Sequence, residues 1–180
     1  VRKQLKLEDV IRARQLCREA GILFRAFFMV GNLGEDYGTV FDTFDLASKL
    51  DADDPQFSIF TPVVGTDAYA EALTKGWIAD TNWDAYDSFH ATVDTDALSR
   101  EDTVVLHDMA LLLFPQSWRP SLQGQRLHTA DIEQRLKQKH GRKGEMLWQM
   151  WQIYQRHGRL NKPVVVLSPP SPPGVTIGRD

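Results

Sequence analysis

Two short apolar runs on either side of one amphipathic stretch constrain the fold of this chain more than any other feature. Residues 23–30 (LFRAFFMV) and 56–60 (QFSIF) have the length and composition of buried strands. Between them, residues 39–50 repeat apolar side chains at the spacing of one helix face. A strand, a helix and a second strand in this order predict an α/β fold with parallel strands joined by a crossover helix.

Helical stretches flank this unit on both sides, over residues 8–20 and 67–76. The predicted buried face of the first stretch consists of Val10, Ala13, Leu16, Cys17 and Ala20. Its other faces carry charged side chains, namely Arg12, Arg14, Arg18 and Glu19. Cys17 is therefore expected to be a small core residue. The first 76 residues thus follow the order helix–strand–helix–strand–helix.

Two strands are too few for a stable parallel sheet with both faces covered. We therefore expect further strands upstream of Val1, and we interpret the chain as a piece of a longer protein. The composition changes after residue 76. Three regions are predicted: the end of an α/β unit over 1–76, a mainly helical region over 77–160, and a proline-rich tail over 161–180 that is extended or disordered. Helices are expected over 99–114, 129–140 and 144–157.

Composition excludes several classes of function. A net charge of −3 gives no reason to expect nucleic acid or an anionic membrane as partner, and no apolar run is long enough to span a bilayer. The single cysteine cannot form an internal disulfide, and with no secretory signal it predicts a reducing, cytoplasmic compartment. The five histidines are scattered without metal-ligand spacing, so no metal site is predicted.

The loops that follow the two strands carry the strongest indication of a ligand. Residues 31–36 (GNLGED) and 61–66 (TPVVGT) start at the carboxyl ends of the strands, where parallel α/β folds bind ligands. Gly31 and Gly34 permit a tight turn and close approach. Glu35 and Asp36 would repel a phosphate and favour an amine, hydroxyls or an adenine edge. Taken singly, each loop is more typical of an ordinary turn into a helix than of a ligand site.

The ordered pair of loops resembles the end of the catalytic barrel of the radical S-adenosylmethionine (radical SAM) superfamily. Gly31, Gly34 and Glu35 match a Gly-x-Pro-Gly-Glu motif, and a Pro-x-Pro-Gly-Thr motif with a following tyrosine is matched by Pro62, Gly65, Thr66 and Tyr69. Leu33 and Val64 depart from these two motifs, since proline is common at both positions. NWDAYDSFH (82–90) and LLLFPQSWRPS (111–121) resemble later segments of the members that carry a cobalamin-binding domain, methyltransferases and the anaerobic magnesium-porphyrin cyclase among them.

The resemblance, over about residues 5–125, implies the C-terminal portion of a partial (β/α) barrel followed by a mainly α-helical region. It implies S-adenosylmethionine as ligand and a small-molecule substrate over the barrel mouth. The implied SAM-binding residues are Val30, Gly31, Asn32, Gly34 and Glu35 after the first strand, and Thr61, Pro62 and Val63 after the second. The Cys-x-x-x-Cys-x-x-Cys ligands of a [4Fe–4S] cluster are absent, so the cluster, and any cobalamin, would be held by the N-terminal part of the same protein.

Several alternatives stay open at the level of sequence. Either Gln56, Ser58 and Phe60 or the interleaved Phe57 and Ile59 would point into the barrel, and Ser58 and His90 are candidates to face a substrate. Asp84 and Asp87 are expected to fix their segment by turn hydrogen bonds. The missing cluster motif and the tryptophan-rich helix also fit a non-catalytic α/β-helical interaction module. An unrelated barrel enzyme is the third reading.

Overall fold

The computed structural model describes residues 6–114 and 127–158, and within them every predicted helix and strand is present. The proline-rich tail and the segment around residues 115–126 lie outside the described residues. The observed elements are α1 (Leu7–Glu19), β1 (Arg25–Val30), α2 (Tyr37–Leu50), β2 (Asp54–Ile59), α3 (Asp67–Thr74), a 3₁₀ turn (Trp83–Ala85), α4 (Arg100–Leu113) and α5 (Thr129–His157).

The two strands form a parallel pair, as the crossover pattern predicted. Val30 is in register with Ile59, and Phe28 is in register with Phe57. The rings of Phe28 and Phe57 stack with their centroids 4.9 Å apart. Paired residues of a parallel sheet share a face, so these four side chains lie on one side of it. The fold is therefore α/β with a two-stranded sheet in the part of the chain described here.

Helices α2, α4 and α5 cover that side of the sheet. One apolar cluster contains Phe44 from α2, Met109 from α4 and Trp151 from α5 together with both strands. The Trp151 ring lies 5.6 Å from the Phe44 ring, edge to face. Helix α5 breaks at Gly141, whose φ of 59° is not helical, close to the predicted division into two helices. The helical region and the strand unit thus share one core.

The opposite side of the sheet is open. Phe27 is 78% exposed and Met29 is 38% exposed, and the register places Gln56 and Ser58 beside them on this face. We call Phe27, Met29, Gln56 and Ser58 the open face. The apolar run had indicated a strand covered on both faces, and among the described residues only one face is covered. Phe57 and Ile59 point toward the helices, so the set with Gln56 and Ser58 occupies the other side.

Helix α1 does not present the face that its apolar spacing predicted. Leu16 is 54% exposed, whereas Arg14, assigned to the solvent side, is 8% exposed. The Arg14 guanidinium donates to the Asp51 carbonyl through Nη2 at 2.8 Å and Nε at 3.1 Å, and it pairs with Asp53 at 3.4 Å. Asp51 ends α2 in the left-handed conformation, and its carbonyl needs a donor. Cys17, which was predicted to be a small core residue, is only partly buried.

No helix among the described residues is both long enough and apolar enough to cross a membrane.

The two faces of β1 are expected to respond differently to substitution. Phe27→Ser should change the free energy of unfolding by less than about 0.5 kcal/mol, because its ring is already in water. Phe28→Ser should cost about 2–3 kcal/mol, because it removes a ring packed on Phe57. Urea unfolding of the two variants measures the difference. Equal losses for both would contradict an open face.

Candidate functional site

The two candidate loops start side by side at the carboxyl edge of the sheet. The Phe60 amide donates to the Val30 carbonyl at 2.8 Å, one residue beyond the paired ends of β1 and β2. The backbone after Val30 and the backbone after Phe60 therefore leave the sheet next to each other. The structure thus brings the two sequence-predicted groups of site residues to the same edge, namely Val30, Gly31, Asn32, Gly34 and Glu35 from the first loop and Thr61, Pro62 and Val63 from the second.

Glu35 closes the first loop from within. Its Oε2 accepts hydrogen bonds from the Gly31 amide at 2.7 Å and the Asn32 amide at 3.0 Å, and its Oε1 accepts from Asn32 Nδ2 at 3.1 Å. Burial raises the pKa of Glu35, and the hydrogen bonds from Asn32 and Gly31 oppose that rise only in part. Both predicted side-chain ligands, Asn32 and Glu35, thus bind each other and shape the loop, an arrangement that the motif alone did not indicate.

Gly31 and Gly34 differ in what their missing side chains permit. Gly31 has a φ of +84°, and a Cβ built on it would lie 2.6 Å from Thr103 Cγ2 of α4. Its missing side chain therefore makes room for a helix, whereas sequence reasoning had reserved that space for a ligand. Gly34 has no neighbour within 4 Å of such a Cβ and no positive φ. Asp36 follows as the N-cap of α2, in a capping box with Thr39.

The second loop contains a buried hydroxyl without a partner. Thr61 Oγ1 is buried and has no hydrogen-bond partner among the described residues. Pro62 beside it is buried, and Val63 is 62% exposed. Thr66 closes this loop by donating from Oγ1 to the Val63 carbonyl at 2.7 Å, and it caps α3. A buried hydroxyl loses its hydrogen bonds to water, so leaving Thr61 Oγ1 without a partner costs free energy.

A third segment lies beside the carboxyl end of β2. The Ser88 carbonyl accepts from the Ile59 amide at 2.7 Å, on the edge of β2 away from β1. Ser88 has a φ of 68°, which is unusual for a residue with a side chain. Asp87 accepts from the Phe89 and His90 amides and lies 2.9 Å from His90 Nδ1. Hydrogen bonds, that from the Phe89 amide above all, lower the pKa of Asp87. The predicted turn-forming role of Asp87 is confirmed, and His90 is exposed in the same segment.

Sequence reasoning missed Thr103, which is 4% exposed and contacts Gly31 from a helix about seventy positions along the chain. Its only local signal was its place in the first turn of a well-capped helix.

No group of His, Cys, Asp and Glu residues within the described ranges could hold a metal ion. A scan of the chain against protein-family models finds no match, and a search of curated proteins finds no significantly similar one.

Gly31 and Gly65 have the same φ of +84°, but only Gly31 lies against Thr103. Substitution by alanine should therefore cost more stability at Gly31 than at Gly65. Gly31→Ala should cost about 3 kcal/mol, because it adds a steric clash to the backbone strain. Gly65→Ala has open space around its Cβ and should cost only about 1 kcal/mol of strain. Chemical denaturation measures both values.

Thr103→Ala serves as the second half of a double-mutant cycle with Gly31→Ala. Because it removes the clashing methyl, the double variant should recover about 1–2 kcal/mol relative to the sum of the single losses. Strict additivity would show that Thr103 does not restrict Gly31.

Glu35 predicts a pH dependence of stability. Because its pKa is raised in the folded state, the stabilising effect of its proton is present below the ordinary value of 4.5 and is lost as the pH rises through the raised pKa. The stability of the native sequence relative to Glu35→Gln should therefore increase as the pH falls from 7 toward 4.5. Urea titrations at several pH values measure it, with the exposed Glu71 replaced by Gln as control. A relative stability that decreases on acidification would contradict the sign.

Proposed function

We propose that this chain is the C-terminal part of a radical SAM enzyme and supplies part of the SAM-binding wall. The observation that carries the proposal is the juxtaposition of the two motif loops at the carboxyl edge of parallel strands, with Thr61 Oγ1 buried there without a partner. Barrel enzymes bind their ligands at this edge. A SAM hydroxyl or adenine nitrogen would give Thr61 the hydrogen bond that it lacks.

The proposed division of labour follows from the geometry of the loops. Because the Asn32 and Glu35 side chains bind each other and Glu35 also accepts from the Gly31 and Asn32 amides, the first loop would contact SAM by packing the backbone of Val30, Gly31 and Asn32 against it. Glu35 would then keep that backbone in place. The second loop would contribute Thr61, Pro62 and Val63. The open face would line the barrel interior and face the substrate.

The chemistry of the cofactors would come from outside this chain. One cysteine, Cys17, lies on α1 and cannot ligate a [4Fe–4S] cluster, so a cluster would be held by the N-terminal part of the same protein. SAM, when bound, supplies an adenosyl or methyl group for transfer or radical chemistry. The resemblance of residues 82–90 favours a cobalamin-dependent methyltransferase or cyclase in the cytoplasm. Within that segment, the exposed His90 is the side chain that we propose to face a small-molecule substrate.

A non-catalytic interaction module is the second candidate. It is favoured by the internal pairing of Asn32 and Glu35, which leaves the first loop without a dedicated side-chain ligand. Such a module would use the open face to bind another protein and would have no affinity for SAM.

Thr61→Val tests whether SAM binds at this hydroxyl, because the substitution should raise the stability of the ligand-free chain and weaken SAM binding. The valine removes a buried hydroxyl without a partner, so the ligand-free chain should become more stable by about 1 kcal/mol. If SAM binds at this hydroxyl, its Kd should rise about tenfold, the equivalent of one hydrogen bond of about 1.4 kcal/mol. Denaturation and calorimetric titration with SAM measure the two effects. Thr74→Val, on the exposed end of α3, is the matched control.

The titration uses the protein extended upstream and reconstituted with iron and sulfide without oxygen. A three-cysteine cluster motif about a hundred residues before Val1, with 5′-deoxyadenosine or S-adenosylhomocysteine as product, would support the proposal. An unchanged SAM affinity in Thr61→Val would remove Thr61 from the site. Failure of the extended protein to bind SAM at all would overturn the proposal and leave the interaction module or an unrelated barrel enzyme.

A further inference from the structure

Three side chains from three helices meet beside the first loop. Lys143 Nζ of α5 lies 3.0 Å from Asp102 Oδ1 and 2.8 Å from Glu101 Oε2, both on α4. Tyr37, the first residue of α2, interacts with the same Asp102 carboxylate. Asp102 Oδ2 also accepts from the amide and the hydroxyl of Ser99 at 3.1 and 2.7 Å. We call Tyr37, Asp102 and Lys143 the Asp102 cluster.

The Asp102 carboxylate is 7% exposed, and its charge depends on these partners. Burial by itself raises the pKa of Asp102, but the hydrogen bonds from Ser99 and Lys143 outweigh it, and the net pKa is lowered. The hydrogen bond to Glu101, followed by Asp102, raises the pKa of Lys143. Burial and then the Asp102 charge raise the pKa of Tyr37. At neutral pH the cluster therefore contains a carboxylate, an ammonium and a neutral phenol.

The cluster is connected to both ends of the first loop. Thr103, the neighbour of Asp102 in the first turn of α4, packs against the Gly31 Cα at the start of the loop. Tyr37 follows the loop directly and interacts with Asp102. The first turn of α4 is thus a common support for residues 31–36, and Lys143 is the cation that α5 places beside that turn.

We propose that Lys143 and Asp102 are positioning residues for the first loop, through which the helical C-terminal region controls the shape of the SAM-facing backbone at Gly31 and Asn32. The part that concerns SAM rests on the proposed function; the mechanical coupling between α5 and the loop does not. Neither residue touches the loop backbone in the way Thr103 and Glu35 do, so both act through the first turn of α4.

Removal of the cation has a direct physical consequence. Without Lys143, the buried Asp102 carboxylate loses its counter-ion, which is costly in a site with little access to water. If the turn moves outward to regain water for Asp102, Thr103 and the Tyr37 end of the loop would move with it. The Gly31 and Asn32 amides would then open more often, because their acceptor, Glu35, belongs to the displaced loop.

The experiment compares Lys143→Met with Lys137→Met in the full chain. Lys137 lies on the same helix and pairs with Glu145 at 3.1 Å on the exposed surface, so it is a matched control. Amide hydrogen exchange at Gly31 and Asn32, resolved by NMR, should accelerate about tenfold in Lys143→Met and be unchanged in Lys137→Met. Lys143→Arg, which restores the positive charge, should return exchange to within about twofold of the native rate.

SAM affinity of the extended protein is the second readout. Fast exchange in Lys143→Met, with rescue by Lys143→Arg and a matching rise in the Kd for SAM, would support the whole proposal. Fast exchange with rescue, in a protein that binds no SAM even with the native sequence, would overturn the proposed function and leave the coupling intact. Native exchange rates at Gly31 and Asn32 in Lys143→Met, or an equal acceleration over all of α4 and β1, would overturn the coupling.

Discussion

The close approach of Gly31 to Thr103 is the contact on which the rest of this structure depends. A Cβ at Gly31 would lie 2.6 Å from the Thr103 methyl, so only glycine lets α4 pack on the end of β1. That packing sets the position of α4 on the sheet and brings Asp102 to the start of α2. The same glycine also has a positive φ, which turns its amide toward Glu35. One residue without a side chain thus joins the core to the candidate site.

The two loops at the sheet edge differ in whether their buried polar groups have hydrogen-bond partners. The first is satisfied internally, because the Glu35 carboxylate binds two backbone amides and the Asn32 side chain. The second contains a buried hydroxyl with no partner among the described residues. A loop whose polar groups are all hydrogen-bonded holds its backbone in one shape. A buried group without a partner is costly, so a ligand that bonds to it lowers the free energy. The candidate site thus combines one loop whose shape is held internally with one that contains an unpaired buried hydroxyl.

Sequence reasoning located the helices and strands to within two residues, because apolar periodicity, capping residues and glycine ends are local signals. It was wrong about α1, where apolar spacing indicated Leu16 inside and Arg14 outside. The left-handed end of α2 leaves the Asp51 carbonyl in need of a donor, and Arg14 supplies it from another helix. It did not indicate that Asn32 and Glu35 bind each other, since a motif does not report whether its polar side chains are paired.

The sequence by itself determined the parallel strand–helix–strand unit, the two loops at its carboxyl edge and the glycine turns, because each depends on residues close together in the chain. Only the tertiary structure decided which face of the sheet is covered, which glycine accommodates a helix and which polar groups are already paired. Those outcomes depend on contacts such as Gly31 with Thr103 and Asp102 with Lys143, between residues about forty to seventy positions apart. Packing and charge pairing at that separation arise when the helices meet, and no local pattern encodes them.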